Sequence, residues 1–287
     1  MRLGPRALTS LLAVSGPVTV PGLDEPLDVS NAFEFFTRDQ YDDAFTGNDD
    51  RIDFLGRVVE RVVRTLTATS LTDPRAFGTA FSDAIAAGDV AVWSADADEQ
   101  AVLAAVRLSG GAAPADDGDT LFVTQHNLLP NKIDSWSRRH VTYDVDVDDT
   151  TGTIAGTVSV ALTNDAPASA PEYLVGTGST GLRVGMMREL ITIYSPHELS
   201  NFRIDGEPVD VLLQQELGRH AYQVRVEVDR GEQATITADV AGSVALPYRL
   251  TMPVIPAVNF DTATVTIDDR DPIDWTLDRM RTVSLDE

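Results

Sequence analysis

From about His140 onward the hydrophobic period changes from helical to two, and that change constrains the fold more than any other feature of the 287 residues. Tyr143, Val145 and Val147 alternate with Asp144, Asp146 and Asp148. The rhythm returns at Val158, Val160 and Leu162, at Leu190 to Tyr194, and at Val224, Val226 and Val228. Successive side chains of a strand point to opposite faces, so each segment predicts a half-buried strand. Asp205-Gly206 and Arg230-Gly231 supply hairpin-type turns between them. Many short strands without a helical stripe predict an antiparallel β-sandwich, Ig-like, over residues 137–287, with the tail from Pro247 to Ile267 adding strands.

Residues 1–136 read differently. Pro5 suits a first helical position, Ala7, Leu8, Leu11 and Leu12 form a stripe, Gly16-Pro17 stops it, and Val18 to Val20 continue as a strand. This fits better than a secretory leader built on Arg2, Arg6 and Ala7 to Val14. Further helices are expected near 29–38, over Arg51 to Leu66 with Ile52, Leu55, Val59, Val62 and Leu66 on one face, and after the Asp73-Pro74 cap. Asp96 with Glu99 predicts a capped helix running to about Leu108, and short strands are expected at Val90 to Trp93 and Leu121 to Thr124. Helices and strands alternating this closely predict an α/β layer, so the whole chain is expected to be α+β, a partial α/β domain over 1–136 followed by the sandwich over 137–287.

Composition narrows function. A formal charge of −23 argues against nucleic acid or an anionic membrane surface as partner. The absence of cysteine excludes disulfides, thiolate metal sites and Cys nucleophiles. No stretch approaches the ~20 apolar residues of a membrane-spanning helix.

Motifs of interest are few. Gly176, Gly178 and Gly181 match G-x-G-x-x-G, but no strand precedes and no helix follows, which predicts a sandwich loop instead of a dinucleotide site. Asp144, Asp146 and Asp148 lack the Gly and Glu of a calcium loop and read as the solvated face of a strand. His126, His140, His197 and His220 show no metal spacing, and no G-x-S-x-G elbow is present. The carboxylates Asp42, Asp43, Asp49, Asp50 and Asp53 are either loop and helix-start charge or, at Asp49 and Asp50 above all, ligands for a hard cation such as Mg²⁺.

Two features point toward an anion. Arg57, Arg61 and Arg64 stand at i, i+4 and i+7 of one expected helix, with Arg51 at its start and Arg38 upstream. The planar fork of arginine suits phosphate oxygens, although a solvated face relieved by Glu60 is the competing reading. Asn131, Lys132 and Asp134 set the only lysine beside an amide and a carboxylate at the expected domain junction, either to bind a ligand or to pin the domains together.

The segments Leu11 to Gly22, Asp49 to Val58, Val90 to Gln100, Asn131 to Asp134 with Tyr143-Asp144-Val145, Thr163 to Pro167, Ile191 to Tyr194 and Asp205 to Pro208 together resemble the carboxyl-terminal part of the bacterial domain-of-unknown-function 4012 family. That family is similar, more distantly, to the LytR-CpsA-Psr phosphotransferases, which attach lipid-linked glycopolymers to the cell wall. The resemblance implies a cell-envelope protein facing the extracellular side, truncated at its amino terminus relative to membrane-anchored relatives. It places Arg38 and Arg51 at a polyprenyl pyrophosphate, although Phe54 stands where those enzymes repeat an arginine. Two functions follow as expectations: a non-catalytic scaffold that binds a cell-wall glycopolymer or an envelope protein, or a phosphotransferase-like enzyme assisted by Mg²⁺. The first is preferred, because half a site does not preorganise a transition state.

Overall fold

The computed structural model describes residues 2–41, 54–61, 64, 74–110 and 118–285. Of the expected features, Asp42, Asp43, Asp49, Asp50, Arg51, Asp53 and the Asp73 cap lie outside them. The chain forms two compact units, Met1–Gly111 and Ala112–Glu287.

In unit 1 the order is β1 (Arg2–Leu3), α1 (Pro5–Ser15), α2 (Ala32–Thr37), α3 (54–61 and 64), α4 (Pro74–Ala86), β2 (Val90–Ala91) and α5 (Ala97–Ala105), with β1 antiparallel to β2. Helix α1 forms where its sequence predicts. Pro5 opens it, Ala7, Leu8, Leu11 and Leu12 are buried, and Gly16 at φ +79° ends it while donating its N–H to the Leu12 carbonyl. Leu8, Leu11 and Leu12 pack with Val18, Val20, Leu27, Phe35, Phe36, Phe54 and Val58 in one apolar cluster. Asp96 caps α5 by accepting from the Asp98 and Glu99 N–H groups. That helix stops at Ala105, short of the expected Leu108, because Arg107 turns to φ +60°.

Unit 2 contains β3 (Asp119–Thr120), β4 (Phe122–Asn127), β5 (Ser137–Val147), β6 (Thr153–Asn164), a short helix α6 (Glu172–Val175), β7 (Met187–Ser195), β8 (Glu198–Ile204), β9 (Glu207–Pro208), β10 (Leu212–Glu216), β11 (Arg219–Val228), β12 (Gln233–Ser243), β13 (Arg249–Met252), β14 (Thr262–Ile267), β15 (Ile273–Thr276) and β16 (Arg281–Ser284). A four-stranded sheet, β10-β11-β7-β4, faces a seven-stranded one, β15-β14-β5-β6-β12-β8-β9, and a small sheet β16-β13-β3 completes the unit. The alternation read from sequence is the alternation of burial. Tyr143 and Val145 of β5, Val158, Val160 and Leu162 of β6, and Val224, Val226 and Val228 of β11 point inward, while Asp144 and Asp146 are exposed.

Two expectations change. The sandwich is not wholly antiparallel, since β14 runs parallel to β5 and β13 parallel to β3. The division between units falls after Gly111 and not near residue 137, because β3 and β4, assigned from local pattern to the first domain, pair with β13 and β7 of the second. Gly176, Gly178 and Gly181 lie in the connection from β6 to β7, as a loop.

One position in the sheet requires glycine for space. A β-carbon on Gly156 would lie 2.1 Å from the Asp144 carbonyl oxygen and 2.7 Å from the Val145 Cα, both backbone atoms of the neighbouring strand. Gly156→Ala is therefore expected to separate β5 from β6 and to cost upwards of about 2 kcal/mol in urea unfolding. A midpoint equal to that of the native chain would contradict this packing.

Candidate functional site

Helix α3 divides its residues by chemistry. Phe54 and Val58 are buried in the unit 1 core, with Leu55 partly so, and the opposite face carries Arg57, Glu60, Arg61 and Arg64. These four, with Thr19, Val20 and Pro21, line a cavity of about 470 Å³. Val20 is itself anchored in the core, and the Val18–Leu27 bridge fixes the segment that forms the other wall of this open cavity. Arg57 lies over the Phe54 ring, 5.6 Å from its centroid, and Arg64 is paired with Glu60 at 2.6 Å. Among the described lining residues three are arginines and one is a carboxylate, in a chain of net charge −23.

The structure brings Arg57, Arg61 and Arg64 together but leaves Arg38 apart from that lining. Arg38 ends α2, and its side chain turns back one helical turn to Glu34 at 3.1 Å. Phe54, at the position where the resembling enzymes repeat an arginine, is a core residue edge-to-face with Phe35. Arg51, Asp49 and Asp50 lie outside the described residues. Among the described residues no group of three or more His, Asp or Glu side chains is placed to share a metal ion.

Asn131, Lys132 and Asp134 belong to unit 2 and are bonded within it, which corrects their placement at a domain junction. The Asn131 amide donates to the Gly176 carbonyl at 2.7 Å, and the Lys132 N–H to the Leu174 carbonyl. The Asn127 amide donates to Asn131 Oδ1 at 2.9 Å and to Asp134 Oδ1 at 3.2 Å. Beside them Arg139 makes a bidentate pair with Asp261, at 2.9 and 2.8 Å, both residues buried.

Besides Asp261, unit 2 buries two further carboxylates, Glu189 and Asp119. Glu189 of β7 is fully buried, and neither of its oxygens meets a donor in hydrogen-bond geometry, although the Gln125 amide lies near enough to favour its ionised form. Burial, and then the neighbouring charge of Asp134, push its pKa up to about 8. Asp119 is equally buried but fully partnered: Tyr143 and Tyr248 each donate to Oδ2 at 2.8 Å, and His197 Nε2 lies 3.0 Å from Oδ1. Burial, with Asp119 beside them, raises both phenol pKa values and keeps the hydroxyls as donors. The sequence carries a sign of Glu189, since Met187, Glu189, Ile191 and Ile193 occupy one phase of a strand and only one of them is charged.

No protein-family model matches the sequence, and no curated protein matches it. Solved structures with partial likeness include a putative nutrient-binding protein from Legionella pneumophila (7% identity, TM-score 0.33, covering 58% of this chain and 66% of that one). Another is yeast LTA4 hydrolase with bestatin (11% identity, TM-score 0.31, covering 52% and 28%). A third is an M1 zinc metallopeptidase from Deinococcus radiodurans (11% identity, TM-score 0.20, covering 45% and 31%). The chain thus spans less than two thirds of each of these proteins. Likenesses at this level assign neither family nor activity to the chain. Among the described residues no helix is long and apolar enough to cross a membrane.

Proposed function

We propose that this chain is a non-catalytic binding protein of the bacterial cell envelope whose unit 1 takes the phosphate-bearing end of a cell-wall glycopolymer precursor. The observation that carries the reading is the cavity wall of Arg57, Arg61 and Arg64. Guanidinium forks satisfy several phosphate oxygens at once, and the acidic remainder of the surface would turn the same ligand away elsewhere. Envelope location, and membership of the domain-of-unknown-function 4012 group with its LytR-CpsA-Psr-like layering, are parts of this proposal and rest on the motif resemblance. Glu60 is the one carboxylate in the described lining and is engaged by Arg64, which supports retention of a ligand over its transfer.

A contact role for unit 2 is supported by β10. This edge strand is exposed along most of its length, and Leu212 and Leu213, with Leu217 just beyond it, are each more than half exposed. Edge strands usually carry charge, proline or a bulge that discourages pairing, so an apolar one suits contact with a polymer or protein.

In calorimetric titration with a short-chain polyprenyl pyrophosphate, Arg57→Ala and Arg61→Ala are each expected to weaken binding about tenfold or more, as loss of a charge-assisted contact does. Arg38→Ala is expected to have little effect. Unchanged affinity in both cavity variants would remove the phosphate from this site.

A further inference from the structure

Glu189 sits on a strand that cannot yield. β7 is paired on one side with β4, where Asn127 lies opposite Glu189, and on the other with β11, where Val226 does. The groups facing its carboxyl from these strands are the neutral Gln125 and Asn127 and an apolar valine. Charge reaches it from two other places: Asp134 in the turn 133–136, and Arg139 of β5. Arg139 is already committed to Asp261 by two hydrogen bonds. An ionised Glu189 therefore faces a second carboxylate with no cation of its own, in a fully buried position. That arrangement is tolerable with one proton added and costly without it.

What would yield is the connection that carries Asp134. Unlike Glu189, Asp134 is only half-buried. The connection hangs from β4 by the Asn127 amide, from β7 by the Leu128 N–H to the Arg188 carbonyl, from the α6 segment by Asn131 and the Lys132 N–H, and at its far end by the Asn259 amide to the Ser135 carbonyl and the Asp165 N–H to the Trp136 carbonyl, with Ile133 and Ser135 buried. Swinging Asp134 toward water separates the two carboxylates, and the tie through Asn131 carries the movement to Gly176 and the glycine-rich connection after α6.

We propose that Glu189 is a proton-operated latch: with its proton this end of the sandwich stays closed, and on losing it residues 128–136 release from β4, β7 and α6. Lys132, the chain's only lysine, rides on the released segment, so its surroundings change with pH.

The sign follows from the direction of the shift. An acid whose pKa is raised on folding contributes no penalty below its unfolded value, near 4.5, and its full penalty above the folded value, near 8, so stability falls as pH rises between them. Thermal unfolding of the full chain is to be followed from pH 5 to 9, with amide hydrogen exchange at Leu128, Lys132 and Ile133. Across that range the native chain is expected to lose about 5–10 °C more in Tm than Glu189→Gln, consistent with a few kcal/mol in a unit of this size. Exchange at the three amides should accelerate beyond the chemical rate above about pH 7.5 in the native chain only. Asp134→Asn, at a half-exposed site, should fold even if the Glu189 variant does not, and should show a smaller alkaline loss than the native chain. Identical pH profiles in the native chain and Glu189→Gln would overturn the latch. So would an undiminished loss in Asp134→Asn, or a Tm loss with no selective exchange in 128–136.

Discussion

Asp119→Ala is expected to cost unit 2 about 3–5 kcal/mol, one of the two largest single-residue losses in the chain. Three donors converge on this carboxylate: the Tyr143 and Tyr248 hydroxyls and His197 Nε2. All four side chains are buried, so removing the acceptor strands three polar groups away from water. The residue is also structural in chain order. It opens β3, which pairs with β13, while Tyr143 lies on β5, so the carboxylate joins the small sheet to the large one. Asp119→Asn keeps a carbonyl oxygen but replaces the other acceptor by a donor, and should lose less, about 1–3 kcal/mol. Urea unfolding followed by tyrosine fluorescence measures both. A cost under about 1 kcal/mol for the alanine variant would show that the network is not needed for the fold.

Arg139→Ala should be equally damaging, for a different reason. Its guanidinium is, among the described residues, the cation acting on Glu189 and also the bidentate partner of Asp261. Without it, Glu189 keeps only the charge of Asp134 beside it, and Asp261, whose pKa burial already raises, must take up a proton or move to water. Breaking a buried pair from one side costs about 3–5 kcal/mol, whereas replacing both members by apolar groups of similar volume is often neutral. The double variant Arg139→Met with Asp261→Leu is therefore expected to recover most of the loss. Arg139→Lys should not, because an ammonium group cannot reproduce the fork. Equal unfolding midpoints for Arg139→Ala and the native chain, or a double variant no better than the single, would contradict this reading of the pair.

Much of the fold is legible in local sequence because local rules determine it. Pro5 and Gly16 bound α1, Asp96 caps α5, and strict alternation marks β5, β6 and β11. What local pattern does not show is which strand lies beside which. Thr120 pairs with Thr251 and Phe122 with Tyr194, and these distant partners draw β3 and β4 into unit 2. The parallel pairing of β5 with β14 spans more than a hundred residues and has no turn signature.

The candidate site divides in the same way. Arg57, Arg61 and Arg64 are visible as neighbours because helical spacing makes them so. Their open cavity is walled on its other side by Thr19 to Pro21, a segment that becomes adjacent only when Val18, Val20 and Phe54 share a core. Arg38, which sequence proximity groups with them, pairs with Glu34 one turn earlier and is not in the described lining. Glu189 is hard to read from sequence because a single charge in an inward phase is a small departure from a regular pattern, although buried charge is where strand pattern and function most often part.

The central claim is that the arginine face of α3 is a phosphate site. Titrating the full chain with inorganic pyrophosphate at low and at physiological salt tests it most directly, with the Arg57→Ala, Arg61→Ala, Arg64→Ala triple variant as control. Saturable binding near one equivalent is expected, weakening as salt rises and lost in the triple variant. Saturable binding of equal strength in the triple variant, or no binding by the native chain at low salt, would contradict it.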